Sequence, residues 1–378
     1  MPEPPNKYRR RVLLAVVGQS PQILTETVYA LTRADSSRQR FVPTEIEVVT
    51  TRQGSNRLSE QLLMQPHGAW HRLLADYALE RIEFDRSRVH VIPGADGQPL
   101  DDIRSTADNA RMADTVTERV RLLTSDPDCA LHVSLAGGRK TMGYYAGYAL
   151  SLFGRAQDRL SHVLVEPAYE AAAGFYYPTP YPLLLETRGK AAKVDAAAAT
   201  IELAEIPYVP LRSLLPPALL KKPSSFIALV DAARTAREAP YMCLDVTTRT
   251  LHADGQEIHL RPTEFALLAA LAHRARTGKS ALPAPPRDAH DAAWAEEVLA
   301  DLRGAVGWMH VDSAVAESLA RDCSGSKVSP HWSRLRRALH EHLAPTRVNL
   351  YFDDGQTHRN KRYRVSLSAD AIEIIRSA

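Results

Sequence analysis

The chain has 378 residues, more than one typical domain requires and enough for two. Its composition, 45% hydrophobic and 24% charged, is ordinary for a globular protein, and a net charge of +3 does not by itself imply a nucleic-acid partner. The basic residues are unevenly spread: residues 327–367 carry nine Lys and Arg against three Asp and Glu, a local net charge of +6.

Cys129, Cys243 and Cys323 are scattered without CxxC spacing. They point to a reducing compartment and to no zinc site, so neither metal nor cofactor is expected. The apolar run at residues 12–17 is too short to span a membrane. A glycine and a polar turn follow it, without a signal-peptide cleavage pattern. A cytoplasmic protein with no membrane contact is expected.

In chain order, residues 12–17 form a continuous β-rich run, as in a parallel strand buried on both faces. A turn at 18–22 leads to an amphipathic helix over 23–34. Residues 45–50 read as the second strand and 56–77 as helical. Residues 88–92 are a third strand, 94–99 a loop and 105–124 a helix. The segment 131–134 is the next strand, then a glycine turn and a small-residue helix at 143–150. Residues 161–165 are a further strand. This alternation predicts an α/β fold with a doubly wound, mainly parallel sheet and ligands at the carboxyl ends of its strands.

Beyond Pro167 the pattern changes. The apolar runs 183–186 and 201–206 suggest a hairpin or extension. Residues 214–223, with prolines at 216, 217 and 223, read as a linker, and 224–236 as a connecting helix. Short strands follow at 241–246, 250–252 and 257–260, with a hairpin signal at Asp254-Gly255. A helix opens at Arg261-Pro-Thr-Glu. Residues 278–290 are a proline-rich loop, and 293–303 are helical. Ser329-Pro330 reads as an N-cap and N1 pair starting a helix over 331–342. Residues 348–352 and 363–367 read as a charged hairpin around Asp353-Asp-Gly-Gln. There is no internal repeat.

Three loops carry chemistry. Gly18-Gln19-Ser20-Pro21-Gln22 follows the first strand, where Gln19 and Ser20 could donate hydrogen bonds, although ordinary βα turns look the same. Ser134–Met142, Ser-Leu-Ala-Gly-Gly-Arg-Lys-Thr-Met, joins a strand to a helix. Glycine lets backbone approach a ligand closely. A helix N-terminus offers free N–H groups and partial positive charge, and Arg139 and Lys140 add full charges. The glycine spacing is neither that of a Walker A loop nor that of a dinucleotide fingerprint. Asp101–Asn109 places Ser105, Thr106 and Asn109 at a helix start, where capping alone explains Ser105 and Asp108.

Together, residues 17–31, 102–109, 134–142, 149–155 and 160–165 resemble CRISPR-associated Rossmann-fold (CARF) domains over residues 10–210. The resemblance implies a homodimer whose two sheets present these loops to a cyclic oligoadenylate made by type III CRISPR complexes, and some relatives are ring nucleases that open it without metal. It implies a ligand set of Gly18, Gln19, Ser20, Pro21, Gln22, Thr51, Arg52, Ser105, Thr106, Asn109, Ser134, Gly137, Gly138, Thr141 and Met142. The ring's own 2′-OH can attack the adjacent phosphate, so the protein need only align it and stabilise charge. Lys140 and Arg139 suit that role, with Ser20 or Ser134 placing the ribose. The loops hold no histidine, which predicts a slow enzyme. Binding without cleavage would use the same residues.

Residues 244–271, 331–339 and 361–365 resemble winged-helix DNA-binding domains of the OmpR/PhoB type, with the proline-rich middle of 278–326 departing from that pattern. Basic and polar residues on one face of a helix suit a major groove. The candidate DNA contacts are His331, Arg334 and Arg337 on the helix, and Arg359, Lys361 and Arg362 on a wing that would meet phosphates. Trp332, Leu335 and Leu339 read as the core face. A solvated surface or a protein-interaction module is the alternative. Arg337–His342 and Arg303–His310 also match the Arg-to-His spacing of HEPN ribonucleases, but with 14 histidines such matches arise by chance.

The sequence therefore predicts a CARF domain at 1–210, a linker at 211–239 and a winged-helix domain at 240–378. The leading expectation is a homodimer that binds cyclic oligoadenylate, most simply the tetramer, and slowly cleaves it to linear products ending in 2′,3′-cyclic phosphates, coupled to double-stranded DNA. A ligand-controlled transcription regulator without catalysis and a HEPN-type RNase effector are the alternatives.

Overall fold

The computed structural model describes residues 3–33, 40–79, 82–187, 193–355 and 361–376. The chain divides into two compact units, Met1–Arg212 with Pro223–Phe226, and Ser213–Lys222 with Ile227–Ala378.

The first unit is built on β1 (Arg10–Val17), α1 (Gln22–Arg33), β2 (Glu45–Thr50), α2 (Arg52–Leu58), α3 (Ala69–Tyr77), β3 (Val89–Val91), α4 (Thr106–Ser125), β4 (Cys129–Ser134), α5 (Lys140–Phe153), β5 (Arg159–Val165), α6 (Pro167–Glu170), β6 (Leu184–Glu186), β7 (Lys193–Asp195) and β8 (Ile201–Glu205). The sheet order is β3-β2-β1-β4-β5-β8. Its first five strands run parallel and β8 closes the edge antiparallel to β5, so the sheet is Rossmann-like and mainly parallel. Val12–Val17 are at most 1% exposed, which is why the run reads as uninterrupted apolar residues.

One expectation is corrected here and one is resolved. The helix read over 56–77 is broken: α2 passes into a wider turn at Ser59–Leu63 and stops before α3. Pro66 cannot donate the backbone bond an unbroken helix requires. The run at 184–186 forms a hairpin with β7, and 201–205 extends the main sheet at β5, so of the hairpin or extension expected for these two runs the extension holds for the second.

The second unit contains α7 (Pro217–Lys221), most of α8 (Phe226–Thr235), β9 (Met242–Asp245), β10 (Thr250–Ala253), β11 (Gln256–His259), α9 (Pro262–Arg276), β12 (Leu282–Pro283), α10 (Ala292–Val306), α11 (Ser313–Arg321), α12 (Gly325–His342), α13 (Val348–Tyr351), β13 (Arg362–Tyr363) and β14 (Ile372–Ile375). One sheet has the order β11-β10-β9-β14, and β12 pairs with β13. The first three strands and α9 match the sequence reading within one to three residues.

Three features differ. Helix α12 begins at Gly325, so Ser329-Pro330 is not its cap and Pro330 lies inside. The Ser324 carbonyl accepts from the Lys327 and Val328 amides and starts the helix. Its buried stripe of Val328, Trp332, Leu335 and Leu339 begins before the proline, and packing on that stripe outweighs the one bond Pro330 removes. Residues 348–351 are a helical turn, not a strand. Arg347 and Tyr351 both bond Asp254, and side chains four apart meet only on a helix (Arg347 Nε to Oδ2, 3.0 Å; Tyr351 Oη to Oδ1, 2.6 Å). The expected hairpin keeps one bridge, Asp353 to Arg364, while Arg362–Tyr363 pairs elsewhere.

Candidate functional site

In an open parallel sheet, ligands bind where successive connections leave in opposite directions. Here β1 connects onward to β2 on one side, and β4 lies on its other side. The loops after β1 and β4 are the two glycine loops, so both stand at this switch point.

They are packed backbone to backbone. A Cβ added to Gly18 would lie 2.7 Å from the Gly138 Cα. Gly137 and Gly138 have φ of +140° and +71°, conformations that favour glycine. A Cβ at Gly54, in the first turns of α2, would lie 2.9 Å from the Gly18 carbonyl oxygen. Three loops therefore interlock through the absence of side chains.

Among α2, α4 and α5, the start of α5 has no side-chain cap. At α2, Thr51 Oγ1 accepts from the Gly54 amide, while the Arg52 and Gln53 amides donate to the Leu100 and Asp101 carbonyls. At α4, Ser105 and Asp108 form a reciprocal capping box, as the sequence suggested. At α5, the N-cap position is Arg139, whose side chain makes no cap bond, and the Lys140 and Thr141 amides find no acceptor among the described residues. These free donors and the helix dipole form an anion-binding end.

The cations differ in availability. Arg139 donates to both carboxylate oxygens of Asp102, at 3.1 and 2.6 Å. That bond holds the Asp102 carboxyl below its ordinary range and raises the Arg139 guanidinium. Arg52 is paired with Asp101, through the single oxygen Oδ1. Lys140, exposed at the first position of α5, has no acidic partner among the described residues.

The remaining expected ligands fall into two groups. Gln19, Ser20, Thr106 and Thr141 are exposed at this edge, with Gly18, Gln22 and Asn109 half-buried. Pro21, Thr51, Ser134 and Met142 are buried. Ser134 Oγ lies 3.4 Å from Thr27 Oγ1 and accepts from the Ala136 amide, and the Met142 sulfur fills the space beside Gly138. These four support the loops from beneath. Asn109 Nδ2 donates to Tyr145 Oη at 2.9 Å.

Several residues had not been singled out. Asp101 and Asp102 clamp the two arginines. Gln53 accepts from Gln19 Nε2 at 3.1 Å, and Arg57 Nη1 donates to the Gln19 carbonyl at 3.3 Å. Tyr144, one turn into α5, is 60% exposed. Its place beside a phosphate loop was the only sequence signal available. Among the described residues, no group of three or more His, Cys, Asp or Glu is placed to hold a metal ion.

On α12, Trp332, Leu335 and Leu339 are buried, as expected of the core face. His331 Nδ1 and Arg334 Nη1 lie 3.0 and 3.2 Å from Glu264 Oε1 on α9. Glu264 is buried, which would raise its carboxyl, yet bonds from His331 and Arg334 hold it below the ordinary range. Arg337, Lys361 and Arg362 are exposed without an acidic partner among the described residues. Arg359 lies outside the described residues.

The fold and these loops define an α/β protein with free helix-start amides at the switch point of a Rossmann-like sheet. A family model for CRISPR-associated protein NE0113 matches residues 20–236, more than half of the chain. The chain belongs to that CRISPR-associated family. No curated protein matches it. Among solved structures, that of Enterococcus italicus Csm6 bound to cyclic hexa-2′-fluoro-hexa-dAMP is similar at 12% identity and a TM-score of 0.24. The likeness covers 42% of this chain and 34% of that one, so this chain spans about a third of that neighbour's length. No helix among the described residues is long and apolar enough to cross a membrane.

Proposed function

We propose that the chain is a cytoplasmic type III CRISPR accessory protein that binds a cyclic oligoadenylate, the tetramer in the simplest case, at the loops after β1 and β4. The observation that carries this reading is the uncapped start of α5 beside the Gly18–Gly138 contact, in a chain of a CRISPR-associated family. A ring of phosphates needs positive potential and free N–H donors, and Lys140 with the Lys140 and Thr141 amides supplies both. Ser20, Gln19 and Asn109 reach sugar hydroxyls. Tyr144 offers a face on which a base can stack. A homodimer would set two such edges around one two-fold ligand.

Slow metal-independent cleavage follows from the same groups. The ring's 2′-OH attacks the adjacent phosphorus as its proton passes to water, the P–O5′ bond breaks and the 5′-oxygen takes a proton from water, leaving a 5′-hydroxyl and a 2′,3′-cyclic phosphate. Lys140 and the α5 amides stabilise charge on the phosphate, and Ser20 aligns the ribose. Arg139 joins once the ligand draws it from Asp102. Incubation of stoichiometric protein with labelled ring in EDTA tests this: linear product over hours is expected, and an intact ring removes the enzymatic claim.

The second unit is proposed as a winged-helix output that meets DNA phosphates through Arg337, Lys361 and Arg362 and through the basic 327–367 segment. A gel shift at low salt on duplex DNA from the protein's own promoter, with and without the ring, tests it. Absence of any shift would leave this unit as a protein-interaction module. Retained DNA control with no ring cleavage would instead favour a ligand-controlled regulator.

A further inference from the structure

The first unit holds a cavity of about 1070 Å³ that the loop site does not use. It is lined by Tyr29 and Arg33 of α1, by Arg40 and Phe41, by His132 of β4 and by Arg159, the first residue of β5. Its wall on the other side is edge strand β8, which contributes Glu202 and Glu205. The glycine loops, by contrast, follow the last residues of β1 and β4.

Its chemistry is specific. Three guanidinium groups around one cavity suit a phosphate, which Arg binds through paired N–H donors. Arg33 lies 4.3 Å above the Tyr77 ring, an arrangement that holds its plane and leaves its edge for ligands. Arg159 uses Nη1 on the Ala156 and Asp158 carbonyls. Tyr29 and Phe41 supply apolar aromatic surface.

His132 lines the same cavity. It is 2% exposed, and its Nε2 lies 2.7 Å from Ser161 Oγ. Its Nδ1 is buried and has no partner among the described residues. Burial, with Arg159 nearby, pushes the imidazole down to about 3, so the ring is neutral.

We propose that this cavity is a second ligand site, for a small phosphorylated ligand of nucleotide size. The phosphate sits among Arg33, Arg40 and Arg159, and the flat ring lies against Tyr29 and Phe41, close enough to His132 for its ring to report occupancy. Glu202 and Glu205 accept from sugar hydroxyls at the rim. The volume exceeds what one nucleotide fills, so water completes the site.

Calorimetry on the full chain with AMP, and separately with inorganic phosphate, tests the proposal. Saturable binding of one AMP per chain is expected, with phosphate weaker. Arg159→Glu is expected to weaken AMP at least tenfold, while Lys140→Ala leaves it unchanged. Histidine-labelled protein should show the His132 ring nitrogens shifting on AMP addition, a readout that does not require the variant to fold. Absence of saturable binding by either probe at millimolar concentration and low salt overturns the proposal. So does AMP binding that Lys140→Ala abolishes and that leaves His132 unmoved, which would place AMP at the glycine loops. Phosphate binding as tight as AMP refutes the nucleotide-sized ligand.

Discussion

Gly18→Ala is the sharpest probe of the glycine loops. The new methyl would lie 2.7 Å from Gly138 Cα, 3.3 Å from its N and 3.4 Å from its C. Ordinary carbon contacts sit near 3.5–4.0 Å, so the two loops must part by about 1 Å. The obstacle is backbone on both sides, with no flexible side chain to yield. Overpacking of this kind costs about 1–3 kcal/mol. At roughly 2–4 °C per kcal/mol for a domain of this size, the first unit should melt about 2–12 °C lower. The ligand effect should be larger, because a 1 Å displacement of positioned groups costs about a hundredfold. Gly97→Ala is the control: a Cβ there meets nothing within 4 Å, although φ is +76°. It should cost about 1 kcal/mol and leave ring affinity unchanged. Thermal melting and ring titration on both variants decide the matter. Wild-type melting and wild-type affinity in Gly18→Ala would refute the interlocked-loop reasoning.

Lys140→Ala should weaken the cyclic tetramer about tenfold, the value of one charge-assisted hydrogen bond, and slow cleavage by about a further hundredfold, read by titration and single-turnover assay. Lost affinity with unchanged bound-state cleavage would make Lys140 a clamp alone. Glu26, buried in α1 with Glu170 nearby, has its carboxyl pushed up to about 8 by burial. The folded state therefore holds a proton that the unfolded state releases near pH 4.3, and stability should fall by about 1.4 kcal/mol per pH unit between roughly pH 5 and 8. Glu26→Gln should flatten that slope in urea midpoints, and an unchanged slope would assign it to other groups. Glu264 has the opposite sign: its depressed folded value contributes stability above the unfolded value of about 4.3, lost as pH falls through the folded value. Glu264→Gln should remove that acid sensitivity from denaturant midpoints between pH 6 and 3, and retention of it would exclude the His331 and Arg334 contacts as its source.

By itself the sequence determined what local rules can carry. The uninterrupted run 12–17 marks a strand covered on both faces, the Ser105–Asp108 box starts α4, and two adjacent glycines after β4 mark a strained turn into α5. Each depends on neighbours within a few residues. Tertiary structure decided the rest. Residues 348–351 became helix because Asp254, nearly a hundred positions away, bonds Arg347 and Tyr351 together. Ser134 and Met142, attractive in the motif, turn inward to support the loop. Asp102 holds Arg139, while Lys140 beside it has no acidic partner among the described residues. Which donors at a motif remain available depends on what packs against them across the fold, and sequence spacing carries no record of that.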